Sequence, residues 1–295
     1  MAAQRAARQV KIRRIVVGLE PGRRGRAALE AGAALAGHMQ AELVGLFVED
    51  VNLLHLAGLP FAREVGAASV TTRALDVAGM ERALRALAND ARRMLEGLAA
   101  RGPVPWSFQV ARGSVMAELL AASGEDDLLV AATAAWEPEL AAAREALALR
   151  LGARARAAVL LLQRDLAPRA PLTAVCSVAA APERVIAAAA ELARSFGDGL
   201  RFVLVGGNPA AARKWEREAR RALAARGEPA RFLRVPAGDA QGLRAALGEV
   251  APGVLMLAGA YAEPERAALQ VLLGELRCPV FVLPEPVRGG EPAPA

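Results

Sequence analysis

The chain has 295 residues, 54% of them apolar and 23% charged, with a formal net charge of +6, which is length enough for two domains with separate cores. No apolar run approaches the ~18 residues of a membrane span, and the basic start MAAQRAARQVKIRR lacks the apolar segment of a signal peptide, so a cytoplasmic location and no membrane partner are expected. The positive charge does not point to nucleic acid: Lys11 and Lys214 are the only lysines, the arginines are interspersed with glutamates as in ERALRALANDARRMLE, and aromatics make up 4% of the chain, little to stack bases on.

Taken in chain order, strand and helix alternate. Strands are predicted near 12–19, 41–49, 104–111, 127–133 and 157–163, and helices near 26–39, 80–101, 115–123 and 137–156. In the strand around PVPWSFQVA, the residues Val104, Trp106, Phe108 and Val110 alternate with polar or small ones. The long helix puts Leu84, Leu87, Ala91, Leu95 and Leu98 on one stripe, with Arg82, Arg85, Arg92 and Arg93 outside it. This alternation predicts an α/β fold, a parallel sheet covered by helices on both faces.

After QRDLAPRAP the order restarts. LTAVCSVAAAPERVIAAAAELARSFGDGLRFVLV echoes RIVVGLEPGRRGRAALEAGAALAGHMQAELVGLFV, with Leu192-Ala193 opposite Leu35-Ala36, and VPAGDAQGLRAAL echoes VARGSVMAELLAA, with Gly238 opposite Gly113. The second copy is shorter between its second and fourth strands, where the first carries an extra stretch, 51–80. The predicted organisation is a basic leader 1–11, a first domain 12–163 with insert 51–80, a linker 164–171, a degenerate second domain 172–285, and a tail 286–295 disordered by composition.

Catalytic constellations are absent. Cys176 and Cys278 sit in the apolar runs LTAVCSV and CPVFVLP and read as buried thiols. His38 and His55 are too few for a histidine-built metal centre, no CxxC or GxSxG occurs, and Ser114 has no nearby histidine. In VGGNPAAARKW, Asn208 as N-cap with Pro209 in the first helical position explains the sequence without a ligand. Glu125–Asp127 reads as the acidic lead-in to a strand.

Several motifs then converge on one family. IVVGLEPGRRGRAALEAGAALAGHMQAELVGLFVED resembles the opening of universal stress protein domains, with their I-V-V-A-x-D-x-S strand, alanine-rich helix and A-E-L-x-x-L-x-V strand. VARGSVMAELLAASGEDDLLVAAT is similar to the family's V-x-x-G, short helix and D-L-I-V-x-G-S, and CPVFVLP matches its closing C-P-V-L-V-V. The resemblance covers nearly the whole chain, twice. It implies two tandem doubly wound, Rossmann-like domains of the adenine-nucleotide hydrolase-like fold, paired within one chain like the family's dimers.

The same resemblance locates a nucleotide site. It implies that Glu20 stands for the family's Asp, that Gly22 and Gly25 replace two serines, that Phe47 and Val48 stand beside adenine, and that Thr133 replaces a late serine. Ala132 and Ala135 take the places of two glycines, and Glu145-Ala146 that of a Gly-Ser pair. Glycine is needed where phosphate lies on bare backbone N–H groups, so methyl groups there, and a carboxylate at 145, crowd an anion. Arg23, Arg24 and Arg26 would grip phosphate directly, or are simply a solvated helix start. In the second half Ser177 holds the acidic position, the turn SVAAAPERV has no glycine, and the G-x-x-G spacing and the Gly-Ser pair are lacking.

The expected function is therefore a non-catalytic tandem stress protein with a stress-response or regulatory role, working through a protein partner or self-association, with no cofactor. The alternative is an adenine-nucleotide switch that binds ATP, ADP or AMP in the first domain alone, with slow hydrolysis. The insert, with Leu53, Leu54, Leu56, Leu59 and Phe61, is too apolar for a free loop. It is a lid, a contact surface, or a segment packed on its own flank, with His55 an interfacial or core histidine.

Overall fold

The computed structural model describes residues 12–20, 23–65, 72–100, 102–132, 155–162, 167–197, 199–236, 239–250, 252–259, 261, 263–276 and 278–284. The first half begins with β1 (Arg14–Gly18), α1 (Arg23–Met39) and β2 (Glu42–Asp50). There follow α2 (Val51–Ala57), a small hairpin of β3 (Arg63–Val65) and β4 (Thr72–Ala74), and α3 (Val77–Ala99). It continues through β5 (Trp106–Gly113), α4 (Val115–Ala122), β6 (Asp127–Ala132) and β7 (Ala158–Leu162). The second half runs β8 (Leu172–Ser177), α5 (Pro182–Phe196), β9 (Leu200–Val205), α6 (Pro209–Ala224), β10 (Ala230–Val235), α7 (Ala240–Val250), β11 (Val254–Ala258), α8 (Glu263–Glu275) and β12 (Val280–Leu283).

The strands form one ten-stranded sheet in the order β10-β9-β8-β11-β12-β7-β6-β1-β2-β5. Each half is parallel and shares one winding, with its first strand in the middle, the second and third to one side, and the fourth and fifth to the other. The halves meet edge to edge through the antiparallel pair β12–β7, with Val280 opposite Leu161 and Phe281 opposite Leu160. Central strands are apolar along their whole length because both faces are covered: all six residues of β6 and all five of β11 are buried. One core cluster packs α1, α3, α5 and α6 against one face, through Leu29, Leu95, Ile186 and Trp215. The other packs α4, α7 and α8 against the opposite face, through Leu119, Leu243 and Leu269.

Local chemistry sets the helix starts. Asp76 caps α3, its carboxylate accepting from the Gly79 N–H at 2.6 Å. Asn208 caps α6 by accepting from the Ala211 N–H at 2.8 Å, with Pro209 first in the helix. The expected stripe of α3 faces inward, with Leu84, Ala91 and Leu95 buried and Arg82, Arg85, Arg92 and Arg93 exposed. Both cysteines are buried and free, and burial pushes the Cys176 thiol well up.

Three readings need correction. The alternation around 104–111 does not bury its apolar row: Trp106 is 37% and Val110 51% exposed, because β5 is the outermost strand and pairs with β2 alone. Among its described residues the insert forms α2 and the antiparallel pair β3–β4, and its last residues, from Val77, already belong to α3. His55 is exposed on α2, which rules out the core alternative given for it and not the interfacial one. The leader, the tail and most of the helix expected over 137–156 lie outside the described residues; residues 155 and 156 are not helical.

Candidate functional site

In a doubly wound sheet the ligand crevice opens outside the carboxyl ends of the strands where the winding reverses. In the first half this is between β1 and β6. Past the end of β1, the Leu19 N–H donates to the Leu46 carbonyl at 2.8 Å, and Glu20 follows, half-buried. The first turn of α1 folds directly onto it: a methyl group at Gly25 would run into the Glu20 carbonyl oxygen. Close backbone approach, rather than a special dihedral, therefore requires glycine at 25.

Ala132 ends β6 with 1% exposure, and Val48 is half-buried near the end of β2, opposite Ala111 of β5. The parallel register brings Glu20, Val48 and Ala132 to one end of the sheet. Arg26 turns to its own helix and pairs with Glu30, Nε to Oε1 at 3.1 Å, with both side chains about half exposed. Arg23 and Arg24 are the first two residues of α1. Gly22, Thr133, Ala135 and Glu145 lie outside the described residues.

The insert lies at this same end, since α2 follows β2 without a break. The Asp50 carboxylate caps α2 by accepting from the Asn52 N–H at 2.9 Å, and Ala57 is buried. The outward side is apolar: Leu53, Leu56 and Leu59 are 40–48% exposed and Phe61 75%, while Leu54 is half-buried. The edge of Val77 adjoins this surface at Gly58.

Beneath it lies a clasp that sequence reading missed. Glu49, 8% exposed, accepts from Arg112 Nε at 2.8 Å, and Arg112 Nη1 reaches Glu81 of α3 at 3.3 Å. The Glu49 hydrogen bond holds the guanidinium above its ordinary value. The three residues tie β2, β5 and α3 together. No motif marks them, because their partners come from three separate elements.

In the second half the corresponding crevice lies between β8 and β11. Ser177 stands at the end of β8, where its hydroxyl oxygen accepts from the Ala179 N–H at 3.3 Å. Tyr261, just beyond β11, sends its phenol back between the two strands. It donates to the Val175 carbonyl at 2.7 Å and accepts from the Ala258 N–H at 2.9 Å. Burial pushes this phenol well above its usual range, with the buried Cys176 adding to the effect, so it stays a neutral donor.

The opposite end of the first half holds a cavity of about 600 Å³ lined by charged side chains. Here Asp127 opens β6 and takes Arg14 side-on, Nε to Oδ1 at 3.0 Å and Nη2 to Oδ2 at 2.6 Å, as well as the Gly124 N–H at 2.7 Å. Asp126 meets Arg13 at 3.8 Å. The acidic run thus fastens the strand starts. Among the described residues no group of three or more His, Cys, Asp or Glu side chains is placed to hold a metal ion, and no helix is long and apolar enough to cross a membrane.

No family model matches the chain, and no curated protein matches it. Solved structures do. The chain is similar to a universal stress protein from Archaeoglobus fulgidus DSM 4304, with a TM-score of 0.61 and 12% identity over 93% of this chain and 97% of that one. It is also similar to PA1789, a functionally unknown protein from Pseudomonas aeruginosa PAO1, with a TM-score of 0.55, 18% identity, and 94% of each chain covered. A proposed universal stress protein from Pseudomonas aeruginosa UCBPP-PA14 matches with the same values. The likeness spans both halves in a single match and establishes a shared α/β fold.

Proposed function

We propose that this chain is a tandem universal stress protein, built from two copies of one unit, that acts in the stress response or its regulation through association with protein rather than through catalysis. The likeness along nearly the full length of both chains supports the family. The observation that carries association is the apolar surface of Leu53, Leu56, Leu59 and Phe61 at the crevice end of the first half. An exposed apolar patch of this kind marks a contact site more often than a bare surface. The methyl groups of Ala132 and Ala135, and the carboxylate of Glu145, argue against a triphosphate in the first half, so no cofactor is assigned and the cytoplasm is the proposed location.

The test has two arms. Sedimentation velocity and cross-linking in lysate should show association by the wild-type chain that Leu56→Glu with Phe61→Glu abolishes, while circular dichroism stays unchanged. ATP, ADP and AMP at millimolar concentration should leave the unfolding temperature where it was. A rise of several degrees with ATP, or association untouched by the double substitution, overturns the reading.

A second reading has one observation in its favour: Glu20 is half-buried at the end of β1, with α1 starting directly against it. A helix start beside a strand end is the usual seat of a phosphate. In that reading Glu20, Gly22, Val48 and Thr133 surround an adenine nucleotide, and Arg23, Arg24 and Arg26 contact its phosphates. Substituting Glu20→Ala would then abolish measured nucleotide binding.

A further inference from the structure

The second half keeps the backbone of a ligand crevice while filling its space. Gly206 and Gly207, which follow β9, and Gly259, which follows β11, all have positive φ, at 81°, 67° and 95°. Such turns expose bare N–H groups. The start of α6 is already capped by Asn208, while the start of α8, beyond β11, presents the positive end of its dipole. This is where an anion is expected to lie. Two side chains are there instead.

The first is Tyr261, 8% exposed. Val175 and Cys176 stand opposite Leu257 and Ala258 in the register of β8 and β11. By joining the Val175 carbonyl to the Ala258 N–H, the phenol takes over the last rung of that ladder. The second is Glu265, in the first turn of α8 and 6% exposed. Its carboxylate reaches across the end of β8 to the other glycine turn: a methyl group on Gly206 would lie 3.2 Å from Oε1. Oε2 is buried without a hydrogen-bond partner.

The walls are fixed as well. A methyl group on Gly259 would come within 2.8 Å of Ala180 Cβ, and the Ala180 carbonyl accepts from Trp215 Nε1 at 2.9 Å. The first half differs in sequence at this point. Aligning Glu137-Pro138-Glu139 with Glu263-Pro264-Glu265 puts Ala135 opposite Tyr261 and Thr133 opposite Gly259. A glutamate is common to both halves, and the phenol belongs to the second alone.

We propose that the second half is an anion site closed from within: the Tyr261 phenol and the Glu265 carboxylate occupy the switch-point crevice between β8 and β11 in which a phosphate group would otherwise lie. The Glu265 side chain fills the space beside the Gly206 turn, and the phenol denies an incoming anion the strand-end backbone. This goes beyond the proposed function and does not depend on how the first half is used.

The experiment compares inorganic phosphate binding by the full wild-type chain with that of a Tyr261→Ala, Glu265→Ala double variant, by calorimetry and ³¹P line broadening. The two proteins share one first half, so any phosphate held there cancels. The double variant should bind at least about tenfold more tightly, with Glu265→Gln, which removes charge but not volume, in between. A double variant that unfolds cooperatively yet binds no better than wild type overturns the proposal. If the double variant does not fold, hydrogen exchange in Tyr261→Phe decides. The Ala258 amide should exchange about tenfold faster, and unchanged protection overturns the closure.

Discussion

The two halves share one winding and differ in what they place inside it. At the third position of the second strand the second half has Phe202, fully buried, stacked on Phe232 at 5.1 Å and tilted against Trp215 at 5.8 Å. The repeat that sets Leu192-Ala193 opposite Leu35-Ala36 sets Phe202 opposite Gly45, the fourth residue of β2, where Leu19 and Leu95 close in. In sequence the same exchange recurs, with Ala135 opposite the Tyr261 that fills the second-half crevice. A parallel sheet fixes where strands go, and side-chain volume decides whether a crevice remains at their ends. The filling of a crevice can therefore diverge between two units of one chain without any change of topology.

The largest effect that would sharpen this contrast is at Phe202. Phe202→Ala removes the centre of an aromatic cluster and should cost about 3–5 kcal/mol in chemical denaturation. A loss below about 1 kcal/mol would mean that the second-half core is not organised around it. Gly45→Ala tests the other side. Its new methyl group would lie 2.7 Å from Leu19 Cδ1 and 2.8 Å from Leu95 Cδ2, so overpacking should destabilise by about 2 kcal/mol; a neutral result would show the first-half core to be loose. Tyr261→Phe keeps the ring and leaves the Val175 carbonyl and Ala258 N–H without their partner, at about 1–2 kcal/mol.

The smallest effect is pH-dependent. Burial pushes the Glu216 carboxyl up, but hydrogen bonds and charge from Arg234, at 2.5 Å, and Arg220, at 2.8 Å, outweigh it and hold the carboxyl below the usual range. A carboxylate depressed in the folded state adds stability above its unfolded pKa, near 4, and loses it as pH falls through the lower folded value. Glu216→Gln should thus lower the denaturation midpoint at pH 7, and the gap from wild type should close in acid. A gap that widened in acid would contradict the assignment.

Much of the frame was legible in the sequence. Apolar runs such as DLLVAA and LTAVCS, short and bounded by turn residues, fit strands buried on both faces, and the long stripe of α3 names its inward side. The edge position of β5 was not legible, since WSFQV alternates as a half-buried strand would and only the sheet order reveals which faces lack cover. The Arg112–Glu49–Glu81 clasp and the Tyr261 bridge were also hidden. Each joins elements far apart in the chain, and an ordinary arginine or a lone tyrosine carries no spacing signature. Glu265 is harder still, because a glutamate in a helix's first turn reads as a surface cap until its burial is known.

The proposed exchange of nucleotide chemistry for association is tested most directly on the protein as cells supply it. The full chain, purified natively and then denatured, should release no more adenine nucleotide in mass spectrometry than a control protein treated alike. ATP, ADP or AMP recovered in proportion to the chain would contradict the account.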